Sequence, residues 1–349
     1  MLKKDFDKTP VEVASILGVV DTYLRWNNKS GPPRKYDIYH PSAFGKCLRQ
    51  MQYKRYADAG HIVPIGKEFE SRILRLFEKG HNMQSRWERY FTSINILRGL
   101  WKCANPLCKD WDDNGNYTGQ YSENLANGVK EKYNARMYGL NDKLGCFKPD
   151  KCVCGSPRFD YHELSIKEPE LNMFGHADLI LDFSRFDQDQ FDGVFKSFNI
   201  TNLPSKPIVV DMKTINKNGF ESMTTYKGGP HFGYQIQLLI YMHSLGCEYG
   251  IILYECKDNS EVAAYRIDRN EEAWEFIKSQ ANLMNQMAEA EDGNGDKLNL
   301  LPPPRVTKKS SYECKNCEFK KYCHSGAIWK DKDLNNKRKK FYGELLESK

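Results

Sequence analysis

The sequence lacks any long apolar run. Its mean hydropathy is −0.70, and no stretch approaches the roughly eighteen consecutive apolar residues that a membrane-spanning helix needs. The N-terminus, MLKKDFDKTPVEV, also lacks an apolar stretch followed by a small-residue cleavage site, so we predict no secretion signal. We therefore expect a protein of a reducing cytoplasm that has no membrane partner.

The sequence also lacks a strong excess of charge. Its 52 Lys and Arg against 46 Asp and Glu give a formal net charge of +6, which permits an anionic partner without requiring one. Basic residues are concentrated near the C-terminus, where such a cluster is more often a solvated face than a nucleic-acid contact. They are Lys308, Lys309, Lys315, Lys320 and Lys321, followed by Lys337, Arg338, Lys339 and Lys340.

Cysteine, by contrast, is plentiful, with eleven residues. The segment YECKNCEFKKYC spaces three of them as C-x2-C-x5-C. In a reducing compartment, clustered thiols are more typical of metal ligands than of disulfides, and a four-coordinate site needs one ligand more. A local solution is a zinc site formed by Cys314, Cys317, Cys323 and His324.

A second group of cysteines lies between residues 101 and 158, a polar, Gly-rich stretch without sustained periodicity. WKCANPLC and KCVCGSPRF resemble the two knuckles of a zinc ribbon, and a metal would explain how such a stretch folds. The spacings C-x4-C and C-x-C depart from the usual C-x2-C pairs, so Cys146 is a possible substitute ligand and free surface thiols are the alternative. The resemblance implies zinc at Cys103, Cys108, Cys152 and Cys154.

The remaining pattern indicates an α/β protein without internal repeats. Residues 69–97 have a helical apolar period, and HFGYQIQLLIYMHSLG is a second helix closed by Gly246. Asp268 and Glu271 fit a capping box for a third helix. The predicted strands are YHELSI (161–166), FGHADLILDF (174–183), KPIVVDMKT (206–214), GIILYEC (250–256) and EVAAYRI (261–267).

Two of these strands carry carboxylates. Asp178 is the only acid within the apolar run GHADLIL, and Asp211 and Lys213 end the run IVVDMKT. Because side chains alternate along a strand, Asp211 and Lys213 share a face, about 7 Å apart. An ion pair at a strand end would explain these two alone. If Asp178 and Asp211 converge on Mg²⁺ or Mn²⁺, the cation explains why both acids lie in apolar strands, since burying an unpaired acid costs free energy.

Taken together, GHADLIL, VVDMKT and QLLIYM resemble the PD-(D/E)XK nuclease superfamily, in its RecB-like branch with a Q-x-x-x-Y helix. The resemblance implies a restriction-endonuclease-like core, which is a mixed central sheet flanked by helices. It also implies that Asp178, Asp211 and the backbone carbonyl of Met212 hold Mg²⁺ or Mn²⁺, with Lys213 as the catalytic lysine.

The same resemblance assigns further residues to this site. Gln237 and Tyr241 match Q-x-x-x-Y, which in the family supports the site and contacts DNA, and Glu163 is an additional candidate. Many members have a metal-binding histidine in a G-x-x-x-H helix. In GHNMQSRW that position is Gln84, with His81 about one turn earlier on the same face. This departure is compatible with a weak, Mn²⁺-dependent or inactive nuclease.

The branch includes members with an iron–sulfur cluster, such as the CRISPR adaptation nucleases and the AddB nuclease domain. Their ligands are one cysteine far upstream and three near the C-terminus. Here PSAFGKCLRQMQYKRY supplies Cys47, so the resemblance implies a structural 4Fe-4S cluster that joins the two ends of the fold. Its ligands would be Cys47, Cys314, Cys317 and Cys323. Four thiolates also suit zinc.

We predict four regions in the chain. Residues 1–100 form a helical part with the first cluster cysteine, and residues 101–160 form the zinc-ribbon-like insertion. Residues 161–300 form the nuclease core, and residues 301–349 hold the cluster cysteines and the basic tail.

The function implied by the resemblance is metal-dependent hydrolysis of DNA, as an exonuclease on single strands or ends rather than an endonuclease. Recombination, repair or replication would be the setting, with a helicase, recombinase or single-strand-binding protein as partner, in the host cytoplasm if the protein is phage-encoded. Trp101 or Trp111 would stack on bases. The alternatives are a DNA-binding or assembly factor without the chemistry, and a scaffold that holds zinc only.

Overall fold

A computed structural model describes residues 11–30, 38–62, 69–108, 136–187, 202–292, 298, 300–306 and 308–342. The helices within them are α1 (Val11–Ser30), α2 (Pro41–Phe44), α3 (Leu48–Asp58), α4 (Ser71–Ser93), α5 (Lys217–Glu221), α6 (Phe232–Leu245), α7 (Glu271–Glu289), α8 (Tyr312–Lys315), α9 (Lys320–Ser325) and α10 (Leu334–Tyr342). The strands are β1 (Leu97–Cys103), β2 (Met137–Tyr138), β3 (Cys146–Phe147), β4 (Phe159–His162), β5 (Leu164–Glu168), β6 (Met173–Ala177), β7 (Leu179–Leu181), β8 (Ile208–Ile215), β9 (Tyr249–Cys256) and β10 (Val262–Asp268).

The strands form a mixed central sheet, in agreement with the predicted α/β class. Its order is β10-β9-β8-β7-β1-β2, and β3 and β4 also pair with β1. Strands β8 and β9 are parallel, with Asp211 opposite Ile252, and α6 makes the crossover between them. The neighbouring pairs β7–β8 and β9–β10 are antiparallel.

Helices cover both faces of this sheet, and alternation along β8 separates the two cores. Val209 packs with α6 and α7, whereas Ile208 and Val210 pack with Trp87 and Phe91 of α4. Asp211 is two residues from Val209 and therefore points towards α6.

Two strands predicted as continuous are interrupted, and each break falls at an acid. Glu163 separates β4 from β5, and Asp178 separates β6 from β7. Strands β4 and β7 both pair with β1 in the central sheet. Strands β5 and β6 leave that sheet and pair with each other, with Leu164 opposite Ala177. This register places the two breaks, and hence the two acids, side by side.

Two local predictions differ from the structure. Helix α7 is capped by Asn270, whose side chain accepts the Ala273 N–H at 2.9 Å, while Asp268 ends β10, so the predicted capping box is wrong by two residues. Strand β1 also crosses the predicted boundary at residue 100, because it continues to Cys103. None of the helices in the described part of the chain combines the length and apolar character that a membrane crossing requires.

Helices α2 and α6 approach each other closely at two glycines. A Cβ built on Gly45, directly after α2, would lie 2.1 Å from the Cα of Gly233 in α6. No side chain separates the two segments at this point, so a side chain added there has no space.

We expect Gly45→Ala to destabilise the protein by about 1–3 kcal/mol, because the added methyl overpacks this contact. Urea denaturation would measure the change. Gly229→Ala is the matched control, since a Cβ there meets nothing within 4 Å. Equal unfolding midpoints for the two variants would contradict the prediction.

Candidate active site and cysteine clusters

The two strand acids lie together at the edge where β6 leaves the central sheet. Asp211 is fully buried, and its Oδ1 accepts a hydrogen bond from Lys213 Nζ at 2.8 Å. Asp178 is half-buried, and its Oδ2 accepts the backbone N–H of Met212 at 2.9 Å. Lys213 therefore lies on the same face as Asp211, as the strand alternation predicts.

Electrostatics at this edge favour a bound cation. Burial raises the pKa of Asp178 to about 8, and the negative charges of Asp211 and Glu163 add to the effect while Lys213 opposes it. Burial also raises the pKa of Asp211, again opposed by Lys213. Oδ2 of Asp211 has no hydrogen-bond partner among the described residues. Repelling carboxylates with a spare buried oxygen fit a hard divalent cation such as Mg²⁺ or Mn²⁺.

We expect Asp178→Asn to flatten part of the pH dependence of stability. The folded protein keeps a proton on Asp178 that the unfolded chain releases, because the pKa rises from 3.8 to about 8. Stability of the wild type therefore falls as pH rises through this window. In buffer freed of Mg²⁺ and Mn²⁺, urea midpoints of the variant should exceed those of the wild type more at pH 8 than at pH 5. A pH-independent difference would contradict this.

Helix α6 supplies the predicted pair Gln237 and Tyr241. Gln237 Nε2 donates to Tyr241 Oη at 2.9 Å, and both side chains are buried. Burial raises the pKa of Tyr241 well above its ordinary value, and the charges of Asp211 and Asp178 raise it further. Tyr241 thus lies near the two acids, and Gln237 is bonded to it on the same helix.

Gln84 and Glu163, from α4 and the β4–β5 break, complete the predicted set. Gln84 Nε2 donates to Glu163 Oε1 at 2.8 Å, so the amide at the position predicted for a metal-binding histidine binds the acid beside it. The same amide hydrogen-bonds Glu88, whose pKa is raised by burial and by the charge of Glu163. All three side chains line an open cleft of about 600 Å³. His81, His162 and His176 line it too.

The sequence did not reveal three residues of this site. Glu88 follows Gln84 by one helical turn, and this spacing is the feature of the sequence that could have identified it. Tyr161 donates from Oη to the backbone oxygen of Asp178 at 2.9 Å. The ring centroid of Tyr234 lies 5.0 Å from Lys213 Nζ, and its place one turn before Gln237 on α6 indicates a shared face.

The first cysteine cluster contains the four predicted zinc ligands. Their sulfur atoms all lie within 4.8 Å of one another, and in the part of the chain that the structure describes this is the one such set of three or more Cys, His, Asp or Glu residues. The Sγ–Sγ distance is 3.7 Å for Cys103 and Cys154 and 3.4 Å for Cys108 and Cys152. All four are buried. The group is therefore able to hold a metal.

Hydrogen bonds prepare one thiol of this cluster for metal binding. Burial acts to raise the pKa of Cys152, but the Tyr138 hydroxyl, the Cys154 backbone N–H and the neighbouring thiols outweigh it and lower the pKa to about 7.

Cys146 stands outside the set, in β3, where its carbonyl accepts from Trp101 Nε1 at 2.9 Å. Trp101 is 2 % exposed, so its predicted stacking on bases is wrong. Trp111 lies outside the described residues.

The second cysteine group surrounds a larger space. A cavity of about 470 Å³ is lined by residues from both ends of the chain. Burial raises the pKa of the Cys47 and Cys314 thiols, and raises that of Cys317 to about 11. The neighbouring thiols add to each shift. The predicted ligands on this cavity are Cys47, Cys314, Cys317 and Cys323, with His324 beside them.

Comparisons with known proteins do not define a family for this chain. No family model matches it, and no curated protein matches it. A solved structure named "Crystal structure of SSO0001" is similar over 88% of this chain and 95% of that chain, with 14% sequence identity and a TM-score of 0.38. At that TM-score the likeness supports no inference about this protein.

Proposed function

We propose that the protein is a metal-dependent deoxyribonuclease of the RecB-like PD-(D/E)XK type, acting as an exonuclease on single strands or DNA ends. The observation that carries this proposal is the convergence of Asp178 and Asp211 beside Lys213, with a buried Oδ2 on Asp211 that has no hydrogen-bond partner in the part of the chain that the structure describes. A divalent cation at these carboxylates would supply Lewis acidity and a water of lowered pKa.

The chain's own groups suit a phosphodiester substrate. Lys213 Nζ, held at 2.8 Å from Asp211, can donate a hydrogen bond to a phosphate oxygen as charge develops there. Glu163 lines the open cleft, and its charge acts on both Asp178 and Asp211, so a backbone phosphate in the cleft would approach the acids beside Glu163. The Gln237–Tyr241 pair fixes the helix face behind the site.

The two cysteine groups suit different inorganic centres. A Zn–S bond of about 2.3 Å requires tetrahedral sulfur atoms about 3.8 Å apart, which fits the 3.4 and 3.7 Å pairs of the first group. The cysteines of the second group do not form such a close set, and they line a cavity of about 470 Å³. We assign zinc to the first and a 4Fe-4S cluster to the second, with zinc bound through His324 as the alternative. Iron and zinc contents of the purified protein distinguish them.

The testing experiment follows end-labelled single- and double-stranded DNA in Mg²⁺, in Mn²⁺ and without divalent cation. We expect cation-dependent release of short products from one end, and the position of the label gives the polarity. A parallel mobility-shift assay measures binding. An Asp211→Asn preparation controls for contaminating nuclease.

One observation favours a second candidate, a DNA-binding factor without hydrolytic activity. Gln84 donates to Glu163, so it engages one of the site's own acids as a hydrogen-bond donor. Binding of DNA without cleavage in either metal would support this candidate and refute the nuclease.

A further inference from the structure

The first turn of α6 lies between the second cysteine group and the acidic site. His231, directly before α6, lines the cysteine cavity, and its Nδ1 accepts the Gly233 N–H at 3.1 Å. Its ring centroid is 5.4 Å from that of Tyr234. The Tyr234 ring in turn contacts Lys213, with 5.0 Å from centroid to Nζ, and Lys213 binds Asp211. Side-chain contacts therefore run without a gap from the cavity to the acids.

A second connection runs beside the first. Arg305 lines the same cavity, donates to the carbonyl of Gly45 and lies 5.8 Å from the ring centroid of Phe232 in α6. Gly45 packs directly on the backbone of Gly233. Both connections end on the same helical turn, and packed interiors transmit displacement because they contain few voids.

We propose that the group held by Cys47, Cys314, Cys317 and Cys323 sets the position of Lys213 through this turn, with Tyr234 as the positioning residue of the lysine. The proposal rests on the proposed function in giving Lys213 a catalytic role and in placing an inorganic group at these four cysteines. An aromatic face attracts an ammonium group, so Tyr234 holds Lys213 Nζ towards Asp211. Loss of the bound group frees His231 and Arg305 to move into the cavity, and the turn that carries Tyr234 moves with them.

The test measures the reactivity of Lys213 rather than catalysis. Amines of the folded protein compete for a trace of heavy acetic anhydride, excess light acetic anhydride acetylates the remaining amines after denaturation, and the isotope ratio of each peptide gives the relative rate at each lysine. We expect about a two- to fivefold increase at Lys213 in Tyr234→Leu, from the loss of about 0.5–1 kcal/mol of cation–π attraction. Tyr234→Phe keeps the ring and should match the wild type. Lys206, which is exposed, should not change in any variant.

The link to the cavity is tested by Cys47→Ser and by His231→Ala, which retains all four thiols. Both should raise the labelling of Lys213 while leaving Lys206 unchanged. A purely structural defect would raise labelling throughout the chain, and circular dichroism checks that each variant is folded.

The outcomes separate the two proposals. Unchanged labelling of Lys213 in Tyr234→Leu, or in both cavity variants, overturns the coupling even if the wild type cleaves DNA. Increased labelling at Lys213 alone supports the coupling even if the wild type cleaves nothing, a result that would overturn the proposed function only.

Discussion

Asp211→Asn is expected to lower cation-dependent DNA cleavage by about a thousandfold or more. The carboxylate is fully buried, has an oxygen without a hydrogen-bond partner among the described residues and lies 2.8 Å from Lys213. An amide keeps the shape but removes the charge that would hold the cation. A bound cation supplies several kcal/mol of transition-state stabilisation, and each 1.36 kcal/mol corresponds to about a tenfold change in rate. Initial rates on end-labelled DNA in Mg²⁺ measure the effect.

The matched control for this variant is Asp160→Asn. Asp160 is exposed on β4, three residues before Glu163, so the change removes the same charge near the site without touching the buried pair. Its cleavage rate should equal that of the wild type. Lys213→Ala should lose about 10²–10⁴-fold while still binding the cation. Cleavage by Asp211→Asn at the wild-type rate would refute the assignment of this site.

The sequence predicts which residues form the acidic site better than it predicts how the chain brings them together. Alternation in IVVDMKT places Asp211 and Lys213 on one face, and the structure agrees. The run GHADLIL is predicted as part of one continuous strand, yet the strand breaks at Asp178. The break is set by pairing, because β7 binds β1 and β8 whereas β6 binds β5. Such long-range choices leave no local signal.

The sequence also identifies candidate residues without showing which of them come into contact in the fold. Spacing in the sequence identifies Cys103, Cys108, Cys152 and Cys154 as a set, but leaves Cys146 as a candidate. Pairing of β3 with β1 places Cys146 opposite Gly99, away from the other sulfur atoms. Tyr234 was missed because its partner Lys213 comes from a different element. Local patterns thus indicate the chemistry, and the topology decides which residues take part.

Cys108→Ser is expected to remove one zinc ion per chain and to destabilise the protein by several kcal/mol. Structural zinc contributes about 10–16 kcal/mol to the folding of isolated zinc-finger peptides at pH 7, and part of that contribution should be felt here. The cluster is attached to the main sheet, because its ligand Cys103 is the last residue of β1 and pairs with Phe159 of β4. Its loss should therefore lower the stability of the sheet as well as that of the insertion. Metal analysis and urea denaturation measure the two effects.

Cys146→Ser provides the matched control for that experiment, since it removes a thiol from the same region but from outside the cluster. Its zinc content should equal that of the wild type. Because the zinc contents of the two variants are compared with each other, any zinc at the second cysteine group contributes equally to both and does not affect the difference. Retention of zinc by Cys108→Ser, or its loss from Cys146→Ser, would show that the ligand set is wrong. Lower stability of Cys108→Ser, with no zinc in the wild type either, would mean that the four thiols contribute by packing alone.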